Sequence, residues 1–345
     1  MSGVRHMMVK ADEAGMRLDR WFRARFPALP FSRLQKLLRK GEIRVNGRRA
    51  KAAHRLEEGD TIRIPPLPED MTGARGDGRS TRRPPQLSEK ERDFFRSLIL
   101  HEDRDILVIN KPSGIAVQGG SKTAEHLDRY LAALEAEYGE RPRLVHRLDR
   151  DTSGALVIAK RRSVAAELGR LFASRSVRKI YWAVVHGVPK PLQGRIDMAL
   201  VKAMTRDGER VRPARAGEEG AQKAVTYYSV VDRAAPVVSW LSLKPVTGRQ
   251  HQLRAHMAFI GHPILGDGKY EGAENLPEGV EPRLHLHARR ISFPHPRGGE
   301  LDITAPLPAH MAHTFRLFGF EPYEDDDGMD DGAGCRIDNR GTCGH

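Results

Sequence analysis

Leu18, Trp21, Phe22 and Phe26 recur at three- and four-residue intervals, which predicts a short helix with one apolar stripe. Leu34, Leu37 and Leu38 repeat the pattern on a second helix, with Ser32 placed to N-cap it and Gly41 to end it. Ile43-Arg44-Val45 then predicts a strand, Asn46-Gly47 a tight turn, and Thr61 to Ile64 a further strand that Pro65-Pro66 stops. Beyond it Pro68, Gly73, Gly76, Gly78, Pro84 and Pro85 break every period, so residues 67–92 are expected to form a flexible linker.

From Asp93 onward short apolar runs alternate with a few helical stretches. Residues 105–110 (DILVIN), 155–160 (ALVIAK) and 181–187 (YWAVVHG) have strand composition. Glu125 to Tyr138, Val164 to Ala173 and residues 251–261 have helical character. Strand–helix–strand units do not repeat, and no glycine-rich phosphate loop follows a strand, which argues against a doubly wound nucleotide fold. The pattern predicts an α+β fold with a mixed, largely antiparallel sheet over residues 93–322. A small unit over residues 1–66 precedes it, and an acidic, glycine-rich tail over 323–345 is expected to be disordered.

Charge sharpens this division. The net charge of the 345 residues is +13, but residues 321–345 hold eight acids against Arg336 and Arg340. The rest of the chain therefore carries +19, a balance that suits a polyanionic partner, because neutralised phosphates release counterions. Residues 1–66 alone hold sixteen Lys and Arg against seven acids. Arg33, Lys36, Arg39 and Lys40 fall on the second helix, and Arg48, Arg49 and Lys51 follow the tight turn. These are expected to make one positive surface for RNA.

No apolar run approaches the ~20 residues of a membrane span, and residues 1–10 lack the pattern of a secretory signal. Cys335 and Cys343 alone make no disulfide framework, so a cytoplasmic protein without membrane contact is expected.

The densest chemistry lies in His146-Arg147-Leu148-Asp149-Arg150-Asp151-Thr152-Ser153-Gly154, between two apolar runs. A turn explains Asp151 to Gly154, but not a His-Arg pair beside a second carboxylate. On an extended segment Asp149 and Asp151 would share a face ~7 Å apart, inside the ~6.5–9.5 Å range of an inverting glycosidase pair. On chemistry alone, glycosyl cleavage and glycosyl isomerisation stand level, and the basic body favours an RNA nucleoside over a neutral sugar.

Two resemblances separate them. Residues 12–66, containing DEAGMRLDRWF, RLQKLLRKGEIRVNGRRAK and LEEGDTIRIPP, resemble the small alpha-L RNA-binding module. HRLDRDTSG resembles the central motif of the RluA-type pseudouridine synthases. Asn110-Lys111-Pro112-Ser113-Gly114, Lys179-Ile180-Tyr181 and residues 247–256 (TGRQHQLRAH) match that family in order. So do GHPILGDGKY and RLHLHARRISFPHP, and the likeness spans roughly residues 95–310. The appended module and KPSGIAVQGG resemble the C-type enzymes of the family, which act on large-subunit ribosomal RNA.

The resemblance implies isomerisation of uridine to pseudouridine in structured RNA, foremost large-subunit ribosomal RNA. Transfer RNA, or RNA binding without catalysis, is the alternative. It implies Asp149 as the catalytic carboxylate, Arg254 as its ionic partner, Tyr181 as the platform for uracil, and Arg147 as the filler of the gap a flipped nucleotide leaves. His146, Thr152 and Arg249 are taken with Arg147 as substrate-binding. A carboxylate can attack the anomeric carbon or remove a ribose proton, and flipping costs a few kcal/mol that an inserted arginine partly offsets. An aromatic platform contributes ~1–3 kcal/mol per stacked base. The scheme needs neither redox chemistry nor a Lewis acid, so no metal or organic cofactor is expected. No obligate protein partner is inferred, and a monomer is expected. His285 and His287, two apart on a strand, offer a metal pair with His251, His256 or His262 as third ligand. H-E-x-x-H is absent, however, and packing is the expected role of these imidazoles.

Overall fold

The computed structural model describes residues 3–68, 87–117, 127–174, 176–205, 208–322, 335–337 and 343–344. The chain forms two compact units, Met1–Arg83 and Pro84–His345. In the first, strand β1 (Arg5–Met8) precedes helices α1 (Leu18–Arg25) and α2 (Phe31–Lys40). Strands β2 (Arg44–Val45), β3 (Arg48–Arg49) and β4 (Thr61–Ile64) complete a sheet ordered β1-β4-β2-β3. The apolar stripe of α1 is its core: Leu18, Trp21 and Phe22 are fully buried with Ile43, Leu56 and Ile62. Asn46 and Gly47 both have positive φ, 48° and 75°, as the tight turn between β2 and β3 requires.

One expectation fails here. The cap of α2 is Pro30, not Ser32, and Ser32 lies inside the helix. Pro30 holds an extended conformation, and its carbonyl accepts the first helical amides from Arg33 and Leu34, both at 3.0 Å.

The second unit opens inside the expected linker. Ser88 caps helix α3 (Glu89–Ser97), its hydroxyl accepting from the Glu91 amide while Glu91 reaches back to the Ser88 amide, a capping box. Residues 69–86 and most of the acidic tail lie outside the described residues. Strands β5 (Ile99–Glu102) and β6 (Ile106–Lys111) follow, then helices α4 (Leu127–Ala133) and α5 (Glu135–Tyr138). Strands β7 (Arg143–Leu144) and β8 (Ser153–Ala159) lead into helix α6 (Arg162–Ser174). Next come β9 (Arg178–His186), β10 (Gln193–Thr205), β11 (Gly208–Pro213), β12 (Gln222–Ala234) and β13 (Val238–Pro245). Helix α7 (Gln252–Phe259), β14 (Leu286–Pro294), β15 (Glu300–Thr304) and helix α8 (Ala309–Phe318) follow, with short strands β16 (Cys335–Ile337) and β17 (Cys343–Gly344) at the edge.

The main sheet runs β17-β16-β10-β12-β13-β9-β14-β8-β6-β5, with β11, β15 and β7 pairing from the side. Among the described residues only β14–β8 and β10–β16 are parallel, so the fold is α+β with a largely antiparallel sheet. Strands β6 and β8 are buried almost throughout because helices cover both faces. In β9, Ala183 and Val185 pack toward α7, whereas Ile180, Trp182 and Val184 pack toward α8. In β6, Leu107 and Ile109 meet α4, whereas Ile106 and Val108 meet α6.

The sheet has a narrow seam. β14 joins β8 through two residue pairs, His287 with Ser153 and Ala288 with Gly154. A Cβ on Gly154, at φ +111°, would lie 2.3 Å from the Ala288 carbonyl oxygen, so only glycine fits where these backbones meet. Ser153 Oγ lies 2.9 Å from His287 Nδ1, and His287 Nε2 is 3.2 Å from the Ala305 carbonyl. His285 is held between the Arg283 carbonyl and Thr314 Oγ1. The two imidazoles that resembled metal ligands are thus engaged at both nitrogens. Among the described residues no group of three or more His, Cys, Asp or Glu is placed to hold a metal ion. No helix among those residues is long and apolar enough to cross a membrane.

Burial holds His256 and His285 near a pKa of about 4 and His287 near about 3, and all three are fully buried. The unfolded chain protonates these imidazoles below about pH 6.5, while the folded chain does not until about pH 4. Stability is therefore complete above pH 6.5 and falls as pH drops through this window, by up to ~1.4 kcal/mol per pH unit for each group. Calorimetric melting at pH 7.5 and 5.0 is expected to show a Tm several degrees lower at pH 5.0. An equal or higher Tm at pH 5.0 contradicts this.

Candidate active site

Three of the four sequence motifs of the second unit, those carrying Asp149, Tyr181 and Arg254, line one cleft of about 830 Å3, whereas residues 110–114 do not line it. Asp149 is the only carboxylate among its described lining residues, with its side chain 27% exposed. It begins a turn between β7 and β8, closed by the Thr152 amide on the Asp149 carbonyl at 3.2 Å. The segment is therefore not extended, and the carboxylate pair drawn from that assumption loses its geometry. Asp151 is exposed and does not line the cleft, and its carbonyl accepts from Ser113 Oγ.

Lys111 fastens this turn, a role that no spacing in the sequence predicts. Its fully buried ammonium donates to the carbonyls of Pro112, Ile115 and Arg150 at 2.8, 2.9 and 2.9 Å. Burial pulls its pKa down to about 7, against the opposing charges of Asp151 and Asp149. Three carbonyls together use all three N–H groups of the charged form. Arg150 returns the tie through Nε to the Gly114 carbonyl.

Arg254, on α7, approaches Asp149 Oδ2 with Nη1 at 3.7 Å. Its main partner is Asp267, which takes Nε at 2.7 Å and Nη2 at 2.6 Å in a bidentate fork. Burial opposes the Arg254 charge, but the hydrogen bonds and charge of Asp267, aided by Asp149, leave its pKa raised. The expected pairing with Asp149 is thus one arm of a triad. Asp267 is buried in the turn before Tyr270, a turn that packs so tightly that a Cβ on Gly266 would meet the Arg283 carbonyl at 1.9 Å.

The remaining polar side chains around α7 lock it in place. Gln252 Oε1 accepts from Thr247 Oγ1 and the Arg249 amide, and its Nε2 donates to the Val225 carbonyl and Thr226 Oγ1. His256 Nδ1 lies 2.9 Å from Thr226 Oγ1. His251 stands at the N-cap with φ +49°, a left-handed conformation that costs a residue with a side chain ~1–3 kcal/mol. Its Nε2 is 3.9 Å from Asp149 Oδ2.

Tyr181, half-buried on β9, lines the cleft, and burial followed by the negative charge of Asp149 pushes its phenol above the ordinary range. Lys179, two residues earlier, lines the same cleft, and burial lowers its pKa. His146 stacks on Phe172 at 4.6 Å, and its Nε2 accepts the Val157 amide at 2.8 Å. That nitrogen is committed to the backbone, and burial with the charge of Lys179 lowers the ring's pKa to about 3. Arg147 is exposed at the cleft and makes no hydrogen bond or ion pair with the described residues. Thr152 is buried along the wall, and Arg249 is exposed there with Nε on the Lys223 carbonyl. In the first unit Arg33, Lys36, Arg39 and Lys40 are all exposed on α2, and Lys40 has an acidic neighbour, Glu42 at 3.7 Å.

Comparison with known proteins gives the cleft its class. The family model for RNA pseudouridylate synthases matches residues 105–259, and that for the S4 domain matches residues 16–62. A protein of Escherichia coli O6:H1 named ribosomal large subunit pseudouridine synthase C is 38% identical over 88% of this chain and 93% of its own. A Vibrio cholerae protein of the same name is 35% identical over 89% and 95%. The solved structure of human RNA pseudouridylate synthase domain containing 4 is 32% identical, with a TM-score of 0.56 over 66% of this chain and 95% of that one. The chain is an enzyme, an isomerase that converts uridine in RNA to pseudouridine. It belongs to the RluA-type family of RNA pseudouridylate synthases, is similar to their C enzymes, and carries an S4 unit at its N-terminal side.

Breaking a buried ion pair from one side costs ~3–5 kcal/mol, because the other charge is left buried without a partner. Asp267→Ala is accordingly expected to lower the unfolding free energy by about that much in urea titration. A loss under ~1 kcal/mol would mean that Asp149 or water replaces Asp267 at no cost.

Proposed function

We propose that this protein isomerises specific uridines of large-subunit (23S) ribosomal RNA in the cytoplasm, without an obligate protein partner. The observation that carries the reading is Asp149, the single acid among the described lining residues, within 4 Å of a buried arginine and beside a half-buried tyrosine. Asp149 acts on the ribose of the flipped uridine, with Arg254 as its opposite charge. Tyr181 holds the uracil while the glycosidic bond moves from nitrogen to carbon five. Arg147, exposed at the cleft, fills the vacated stack. Thr152 and Arg249 line the approach, and His146 acts by shaping the turn that carries Arg147 and Asp149. The relatives that cover both units are named for the large ribosomal subunit, which supports ribosomal over transfer RNA as substrate.

Pseudouridine mapping in cells lacking the protein tests this directly. A few large-subunit sites should lose the modification, the wild-type chain and Asp151→Ala should restore it, and Asp149→Asn should not, although it binds RNA within a few-fold of wild type. Loss confined to transfer RNA would move the substrate, and full restoration by Asp149→Asn would remove the carboxylate from the chemistry.

The exposed basic face of α2 is assigned to phosphate contact. Replacing Arg33, Lys36, Arg39 and Lys40 together with Gln should weaken RNA binding and flatten its salt dependence, by up to about one unit of slope per lost contact. A log–log plot of affinity against salt parallel to that of the wild type would show that this face does not meet the substrate.

A further inference from the structure

Tyr270 stands against a histidine that faces Asp149. The Val211 amide donates to its hydroxyl oxygen at 3.0 Å. The same hydroxyl lies 3.0 Å from His251 Nδ1, and no other acceptor among the described residues is within hydrogen-bond reach of it. An amide N–H can only donate, so the single phenolic O–H is left to donate to Nδ1. Nδ1 is then the acceptor, and a neutral imidazole carries its own proton on Nε2, the nitrogen that faces Asp149 Oδ2 at 3.9 Å.

The ring is held to that role. His251 is 9% exposed, its edge meets Tyr270 at 90°, and the Arg254 guanidinium covers the same tyrosine ring at 5.3 Å. The charged groups facing the imidazole are Asp149, Asp267, Arg254, Lys269 and Glu209. Burial is the largest influence and, with Arg254 and Lys269, outweighs the two aspartates and keeps the ring neutral.

We propose that His251 is a positioning residue for Asp149. As the Nε2–H tautomer it brackets Oδ2 together with Arg254 Nη1 and leaves Oδ1 to face the ribose. The role rests on the reading of Asp149 as the catalytic carboxylate. At 3.9 Å the contact is longer than a hydrogen bond, and such contacts tighten when substrate fills a site. A neutral donor orients the carboxylate without adding a second cation beside it. The same tautomer cannot take a proton at Nε2, so His251 is not the base that removes the hydrogen from carbon five.

The test has two independent arms. In nitrogen-15 NMR of the full chain labelled at histidine, without RNA, His251 should show protonated Nε2 and bare Nδ1 at pH 7.5. Tyr270→Phe should shift the population toward the Nδ1–H form. Asp149→Asn should lower the titration midpoint of His251, because it removes a neighbouring negative charge. In single-turnover release of tritium from carbon five of uridine, His251→Leu should slow the step roughly 10- to 100-fold with RNA affinity within two-fold. His251→Gln, which keeps an N–H donor, should recover most of the rate at equal melting temperature. An Nδ1–H tautomer in the wild type, or equal losses in the Leu and Gln variants, overturns the proposal. An Asp149→Asn enzyme with normal release would instead defeat the reading of the carboxylate, and the tautomer would still be decided by NMR.

Discussion

The fork between Arg254 and Asp267 is the constraint from which the rest of the site follows. Both side chains are almost completely removed from water. An ion pair so deeply buried is tolerable only if its geometry is held closely, since neither charge can be rescued by solvent. That demand explains the packing around it. Gln252 and Thr247 tie the start of α7 to β12. The turn carrying Asp267 is closed by the Gly266 and Gly272 amides. Tyr270 lies against the guanidinium. Asp149 then meets the remaining face of a cation that is already in place, so the carboxylate can stay partly open to substrate without having to hold the arginine itself.

Much of this was legible in the sequence, in proportion to how local the signal is. The stripes of α1 and α2, the Asn46-Gly47 turn and the long apolar strands rest on spacing within a few residues, and they stand as read. The segments around Asp149, Tyr181 and Arg254 do meet at one cleft. Asp267 and Tyr270 are not legible in the same way, because a carboxylate in a glycine turn looks like any other until its distant partner is known. Lys111 escaped for a related reason: its three partners are carbonyls, which no residue type announces. The start of α3 is legible in the sequence, since Ser88 and Glu91 spell a capping box just before Phe94 and Phe95. At Ser32 a side-chain preference was set against a proline that already had the right backbone.

The order of motifs along the chain has a structural reason. Lys111 and the Asp149 turn belong to β5, β6, β7 and β8, one side of the sheet, whereas Tyr181, Arg254 and Asp267 belong to β9 and the strands beyond it. Each side has its own apolar cores and its own covering helices. The cleft exists because the two sides are brought into register at β14.

That register is carried by a joint two residue pairs wide, Ser153 with His287 and Gly154 with Ala288, directly after the turn that holds Asp149. The separation between the carboxylate and its arginine is thus also a mechanical quantity, set by how two plates are bolted together a few ångströms from the chemistry. A methyl group at the bolt would act as a shim, prising the plates apart where the lever arm to Asp149 is shortest. The tolerance of this enzyme to change should therefore be tightest along that line, at positions that touch neither RNA nor base.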